Sequence, residues 1–191
     1  MKIIKTDIEE VFIIEPQMFS DERGYFCEIF NQKRFRELTG LNTTFVQDNE
    51  SRSKQGVVRG LHFQLPPSAQ SKLVRCSEGE ILDIAVDIRR GSPTFLKHVG
   101  VVLSGENHRQ LFVPRGFAHG FVVLRGDAVV QYKCDNLYNP AAERAIVWND
   151  PQLNIDWGIC ADKAILSAKD LNNCRLEQLD TLFDYNIDYY A

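Results

Sequence analysis

The stretch "GVVRGLHFQLPPSAQSKLVR", residues 56–75, sets Arg59, His62 and Lys72 within fourteen residues on strand-like sequence. These side chains move protons and hold negative charge: imidazole titrates near ~6.5, and the guanidinium and ammonium carry positive charge at neutral pH. A histidine that works as a base needs a carboxylate to fix its tautomer. Asp83, Asp87, Asp135 and Asp170 are candidates, and sequence does not choose among them. A half-buried histidine bonded to backbone is the plain alternative, and on these residues alone both readings stay open. A metal centre is the disfavoured third. Metal-binding β-barrels often supply two ligands as H-x-H on one strand, and here the second position is Gln64, a poor ligand for transition metals. His98, His108 and His119 have no local pair, and the five cysteines (Cys27, Cys76, Cys134, Cys160 and Cys174) show no CxxC spacing.

Strands must carry these groups. GVVRGLHF, SKLVRC, EILDIAVDIR, KHVGVVL, RQLFVP, HGFVVL and AVVQYKC read as strands, separated by turn residues at SEGE, RGSP, LSGEN, PRG and RGD. Such short, evenly spaced strands predict an antiparallel barrel or sandwich. In ILDIAVDIR, Leu82, Ile84, Val86 and Ile88 form an apolar face opposite Asp83, Ala85 and Asp87, which suits a barrel with a partly polar interior. Arg59 and His62 differ in strand parity, and a bulge at Gly60 is the expected device for bringing both to one face. NQKRFRELTG predicts a short helix capped by Asn31 and ended by Gly40. Short helices packed on the barrel are expected after about residue 150.

Two further stretches hold polar groups. In QLFVPRGFAHGFVVL, Pro114 and Gly116 shape a turn before His119, which on a plain hairpin would be a surface histidine. In VVQYKCDNLYNP, Val130, Tyr132 and Cys134 share one strand face, and Tyr132 either fills core or presents its hydroxyl to a cavity. Tyr138 reads as a loop aromatic, either an ornament of the surface or a stacking platform for a base.

At 191 residues, 44% hydrophobic and 25% charged, the chain has the makeup of one ordinary soluble domain. Its formal net charge of −4, with basic residues scattered, argues against a nucleic-acid surface but leaves room for a phosphorylated small molecule. No run approaches the roughly 18–20 apolar residues that span a bilayer. MKIIKTDIEEVF carries acids where a signal peptide is apolar, and the odd, unpatterned cysteines fit reduced thiols, so a cytoplasmic protein is expected.

"FSDERGYFCEIF", "FVQDNESRS", "GVVRGLHFQ", "QSKLVRC", "GEILDIAVDIRRGSPTF", "LFVPRGFAHGFVVL", "YKCDNLYNP", "WNDP" and "LSAKD" follow one another in a recognisable order. Over about residues 15–170 the chain resembles the dTDP-4-dehydrorhamnose 3,5-epimerase family of the cupin superfamily. The resemblance implies an all-β fold, a cupin-type β-jelly-roll barrel with a few short peripheral helices, in a homodimer whose N-terminal segments are exchanged. It implies a nucleotide-sugar substrate and neither metal nor organic cofactor. By similarity His62 is the base, Asp170 the carboxylate that orients it, Tyr132 the acid on the opposite face, and Lys72 the cation at the enolate oxygen. Arg23 and Glu28 match positions on the exchanged arm, and Gln47 and Asn49 match the QDN contacts. Arg59, His119, Glu143 and Lys169 match contacts to sugar or diphosphate, and Tyr138 the aromatic stacked on thymine. Two departures stand out: CDN at 134–136 replaces a more threonine-rich stretch, and Ala168 stands where glutamate is common. The rivals are a relative that epimerises carbon 3 alone and a non-catalytic cupin that senses a sugar nucleotide.

Overall fold

The computed structural model describes residues 1–190. The chain starts with β1 (Lys2–Lys5) and β2 (Phe12–Glu15), then a hairpin of β3 (Met18–Asp21) and β4 (Gly24–Cys27), and α1 (Gln32–Thr39). β5 (Gln47–Ser53), β6 (Val58–Gln64), β7 (Lys72–Asp87), β8 (Arg89–Arg90), β9 (His98–Ser104) and β10 (Gln110–Val113) follow. β11 (Phe117–Cys134) and β12 (Glu143–Ala145) complete the main strands, and α2 (Ala168–Leu171) and β13 (Phe183–Asp184) lie beyond them.

β7 and β11 organise the barrel. The first half of β7 pairs with β10, and its second half with β9. The first half of β11 pairs with β6, its second half with β5, and the two long strands pair with each other throughout. Two sheets result, β1-β2-β10-β7-β11-β5 and β9-β7-β11-β6-β12, sharing the bent β7–β11 ladder. This is a β-jelly-roll barrel with short peripheral helices.

Here the structure corrects one expectation. SEGE and RGD do not reverse the chain; β7 and β11 run through them. The two segments face each other across the ladder, Glu80 opposite Arg125 and Glu78 opposite Val129, with register shifts between. Both strands therefore bend together at a sheet corner, where bulges raise the twist. Gly79 makes the corner possible: its φ is +75°, and a Cβ there would lie 2.3 Å from Asp127 O.

Between the sheets lie Val74, Ile81, Ala85, Leu111, Phe121, Val123 and Val130. The apolar face of β7 (Ile84, Val86 and the flanking Ile88) turns outward beneath a cover of Trp148, Leu153, Trp157, Leu176 and Phe183. The opposite face puts fully buried Asp83 inside the barrel, so the interior is partly polar. On the other sheet α1 lays Phe35 against Phe112, which stacks on Phe12 at 4.7 Å. Burying a phenylalanine this fully contributes about 1.5–3 kcal/mol. The helix has the expected ends: the Asn31 side chain accepts from the Arg34 N–H, and Gly40 is left-handed at φ 71°. No described helix is long and apolar enough to cross a membrane.

Candidate active site

His62 lies on β6, where β6 bulges against β11. His62 pairs with His119 and Arg59 with Phe121, so β6 spends one residue more than its neighbour. Gly60 sits in the bulge at φ +125°; a Cβ on it would come within 2.5 Å of Gly120 Cα and 2.7 Å of His119 O. Two glycines facing each other bring the backbones close and set the His62 and His119 positions, as the parity argument required. Arg59 remains exposed, with Nε donating to Ser53 Oγ at 3.0 Å, and its charge works on the Tyr132 hydroxyl.

The carboxylate that meets His62 is Asp170. His62 Nε2 lies 2.7 Å from Asp170 Oδ1. Asp170 belongs to α2, whose cap, Ser167, accepts the Asp170 N–H and donates its own hydroxyl to Oδ2 at 2.7 Å. Burial would raise this carboxyl, but the bonds from His62, Ser167 and the Gly60 amide outweigh it and hold its pKa below the usual value. With Nε2–H engaged by Asp170, Nδ1 is the nitrogen left with a lone pair. Ser167-x-x-Asp170 is readable in the sequence as a helix start, which places Asp170 in a first turn without pairing it with His62.

His62 opens on a cleft of about 290 Å³ lined also by Gln47, Asn49, Gln70, Lys72, Tyr132, Cys134, Tyr138 and Glu143. Lys72 opens β7 directly opposite Cys134, and its ammonium lies 5.8 Å from the Tyr132 ring centre. Burial lowers the Lys72 pKa against the opposing pull of Cys134, Asp83 and Glu143. Burial, with nearby negative charge, raises the Tyr132 pKa, so its phenol stays protonated and able to donate.

The rim is tied together by hydrogen bonds. Glu143 accepts from the Tyr138 hydroxyl at 2.7 Å and from Lys169 Nζ at 2.6 Å. These bonds outweigh the burial that would raise its carboxyl. Gln47 Nε2 donates to Asn49 Oδ1, and Gln47 Oε1 accepts the Tyr138 N–H at 2.9 Å. Buried Gln64 is a residue whose structural work sequence reasoning missed. Its amide donates to Ser68 O and Leu137 O and accepts the Asn139 N–H, clamping the loop that carries Tyr138. Among the described residues no group of three His, Cys, Asp or Glu is placed to hold a metal ion.

His119 is not the surface histidine of a plain hairpin. It is 7% exposed and bonds Asp83 Oδ1 through Nε2 at 2.8 Å. Asp83 Oδ2 is buried without a partner among the described residues. Arg23 and Glu28 stand apart from the cleft. Arg23 is exposed at the tip of the β3–β4 hairpin and paired with Asp21; Glu28 bonds Asn31 and Arg34.

Known proteins share this chain's sequence and fold. The family model described as dTDP-4-dehydrorhamnose 3,5-epimerase matches residues 5–178. A curated protein of that name from Shigella flexneri is 54% identical over 180 residues, 94% of this chain and 98% of that one. A crystal structure of the Legionella pneumophila epimerase, in complex with dTDP-4-keto-L-rhamnose, is 50% identical with a TM-score of 0.93, covering 97% of this chain and 99% of that one. A 3'-monoepimerase from Streptomyces bikiniensis in complex with dTDP-quinovose is 34% identical with a TM-score of 0.86, covering 97% of this chain and 93% of that one. Fold and nearly the whole length of the sequence agree, and this chain belongs to the dTDP-4-dehydrorhamnose 3,5-epimerase family.

Proposed function

We propose that this protein inverts carbons 3 and 5 of dTDP-4-dehydro-6-deoxy-D-glucose, giving dTDP-4-dehydro-L-rhamnose for dTDP-L-rhamnose synthesis. The observation that carries the reading is the His62–Asp170 pair at 2.7 Å on a cleft that also holds Lys72 and Tyr132. Both carbons flank the ketone at carbon 4, so removing either hydrogen leaves an enolate. His62 takes the proton on one face through its free nitrogen, and Asp170 stabilises the imidazolium that forms. Lys72 faces the oxyanion that develops at carbon 4, a charge present mainly in the transition state. Tyr132 returns a proton to the opposite face, and inversion follows. The Tyr138 ring offers thymine a stacking surface, worth roughly 1–3 kcal/mol by analogy with single-strand binders. Five free cysteines support a cytoplasmic location.

Tyr132→Phe separates the two halves of the cycle. Solvent deuterium should still enter the sugar while inversion slows by ~10²-fold or more; NMR in deuterated water checks this. Inversion and exchange lost in equal proportion would remove Tyr132 from the role of acid.

The same reading places Arg23 and Glu28 in the cleft of a second copy. The β3–β4 hairpin exposes Phe19, Tyr25 and Phe26 at 55%, 62% and 69%, an apolar surface suited to a partner subunit. Phe26→Asp should yield a monomer in sedimentation analysis and raise KM. A variant that stays dimeric with unchanged KM would count against the exchanged arm.

Proton NMR of dTDP-4-dehydro-6-deoxyglucose with the protein in deuterated water tests the function. Deuterium and inversion at both carbons are expected. The likeness to a 3'-monoepimerase keeps a second reading in view, and label with inversion at carbon 3 alone would establish it. No exchange at either carbon would overturn both.

A further inference from the structure

Lys72 opens its strand, so whatever fixes the residue ahead of it fixes the base of a long, flexible side chain. That residue, Ser71, is fully buried. Its N–H donates to Asp135 Oδ1 at 2.6 Å, and the Asp135 N–H donates back to Ser71 O at 3.3 Å. Its hydroxyl meets the Tyr190 hydroxyl at 2.6 Å. Arg115 closes the ring: Nε donates to Asp135 Oδ2 at 3.1 Å, and its backbone N–H donates to the Tyr190 hydroxyl at 3.1 Å. The Arg115 guanidinium also lies 5.1 Å from the Tyr190 ring centre and donates to Tyr189 O.

Tyr190 is not core filler, since 43% of its surface is exposed; the engaged part is the hydroxyl. The segment that delivers it is anchored at Phe183, which is 2% exposed and paired in parallel with β8. Phe183 packs edge-on against Tyr189 at 4.9 Å, and the Asp184 N–H donates to the Tyr189 hydroxyl at 2.7 Å. All of it lies beyond residue 178, where the family match ends.

We propose that residues 183–190 form a strap that positions Lys72 for the reaction, with Tyr190 as its tip. The inference rests on the reading of Lys72 as the cation that faces the enolate. The ring of Ser71, Asp135, Arg115 and Tyr190 pins the point where β7 begins and β11 ends, the pair of strand ends that presents Lys72 opposite Cys134. An ammonium that must meet one developing oxyanion gains from a fixed origin, because a 1 Å misplacement can cost about 10²-fold in rate. Tyr190 is a positioning residue, acting through the Ser71 backbone.

Tyr190→Phe keeps the ring over Arg115 and removes the hydroxyl. We expect kcat to fall about tenfold, the loss of roughly one well-placed hydrogen bond, with KM within about twofold. Ser71→Ala should give the same loss, and the double variant no further loss. In a Lys72→Met background, Tyr190→Phe should leave the residual kcat unchanged. Amide hydrogen exchange at Ser71 should quicken about tenfold in Tyr190→Phe, a readout that needs no activity. An unchanged kcat in Tyr190→Phe, or an equal fractional loss with and without Lys72, overturns the strap. If the parent protein neither exchanges nor inverts the sugar, the functional reading fails instead, and Ser71 exchange still reports whether Tyr190 holds the strand end.

Discussion

Replacing His62 with alanine is expected to cut turnover by ~10²–10⁴-fold, the usual worth of a positioned general base, while substrate affinity stays within a few-fold. Affinity survives because the nucleotide contacts expected at Tyr138, Gln47 and Glu143 belong to other elements of the rim. Steady-state kinetics beside equilibrium binding of dTDP makes the comparison. Retention of more than a few per cent of activity would remove His62 from the role of base. The variant also carries a stability signature. Asp170 has a depressed folded pKa, so its contribution is fully present above the unfolded carboxyl value, about 3.9, and is lost as pH falls through the lower folded value. His62→Ala removes one of the bonds responsible. The Asp170 part of the stability gap between parent and variant should therefore close as pH falls through the folded carboxyl value, which denaturant titrations under acid will read.

Lys72→Met keeps the aliphatic stem and deletes the charge, and kcat should fall by ~10²–10³-fold, the scale seen when an oxyanion partner is removed. The pH profile identifies the group. Burial lowers the Lys72 pKa, so the parent should lose kcat on the alkaline side, at a pH below the ~10.4 of a solvated lysine. The variant should lack that limb. Stability is expected to move the other way. A lysine whose folded pKa is depressed binds fewer protons folded than unfolded between the two values, so its charge opposes folding at neutral pH. Lys72→Met should melt higher than the parent while turning over far more slowly, the trade-off expected where function holds a charge out of water. A lower melting temperature with an intact alkaline limb would argue that Lys72 is structural.

Much of this site was legible in the residues, for identifiable reasons. Strand parity placed Val130, Tyr132 and Cys134 on one face of β11, because alternation depends only on counting. Gly60 was a sound pointer to the bulge, since only glycine tolerates both its φ and the approach of Gly120. Tertiary partners were not legible in spacing alone: four aspartates were candidates for His62, only the family resemblance singled out Asp170, and the contact depends on a loop returning 108 residues later. A plain hairpin would have left His119 on the surface, and Asp83, on the neighbouring strand, supplies the bond that permits its burial. SEGE and RGD carry turn chemistry, and their use at a sheet corner depends on each facing the other. The strand character of β5, QDNESRS, was invisible because its residues are polar and hold their place through the ladder to β11.

The separation of 108 positions between His62 and Asp170 also orders the synthesis of the site. Chains leave the ribosome N-terminus first. His62 is therefore made long before Asp170, and the strands of both main sheets are complete before α2 exists. On the proposed reading, a chain stalled or clipped before Ser167 holds the strands that line the cleft and lacks the carboxylate its base requires. On that reading the groups lining the cleft are made first, and the carboxylate that enolisation needs comes last, with the turn of α2 that Ser167 caps.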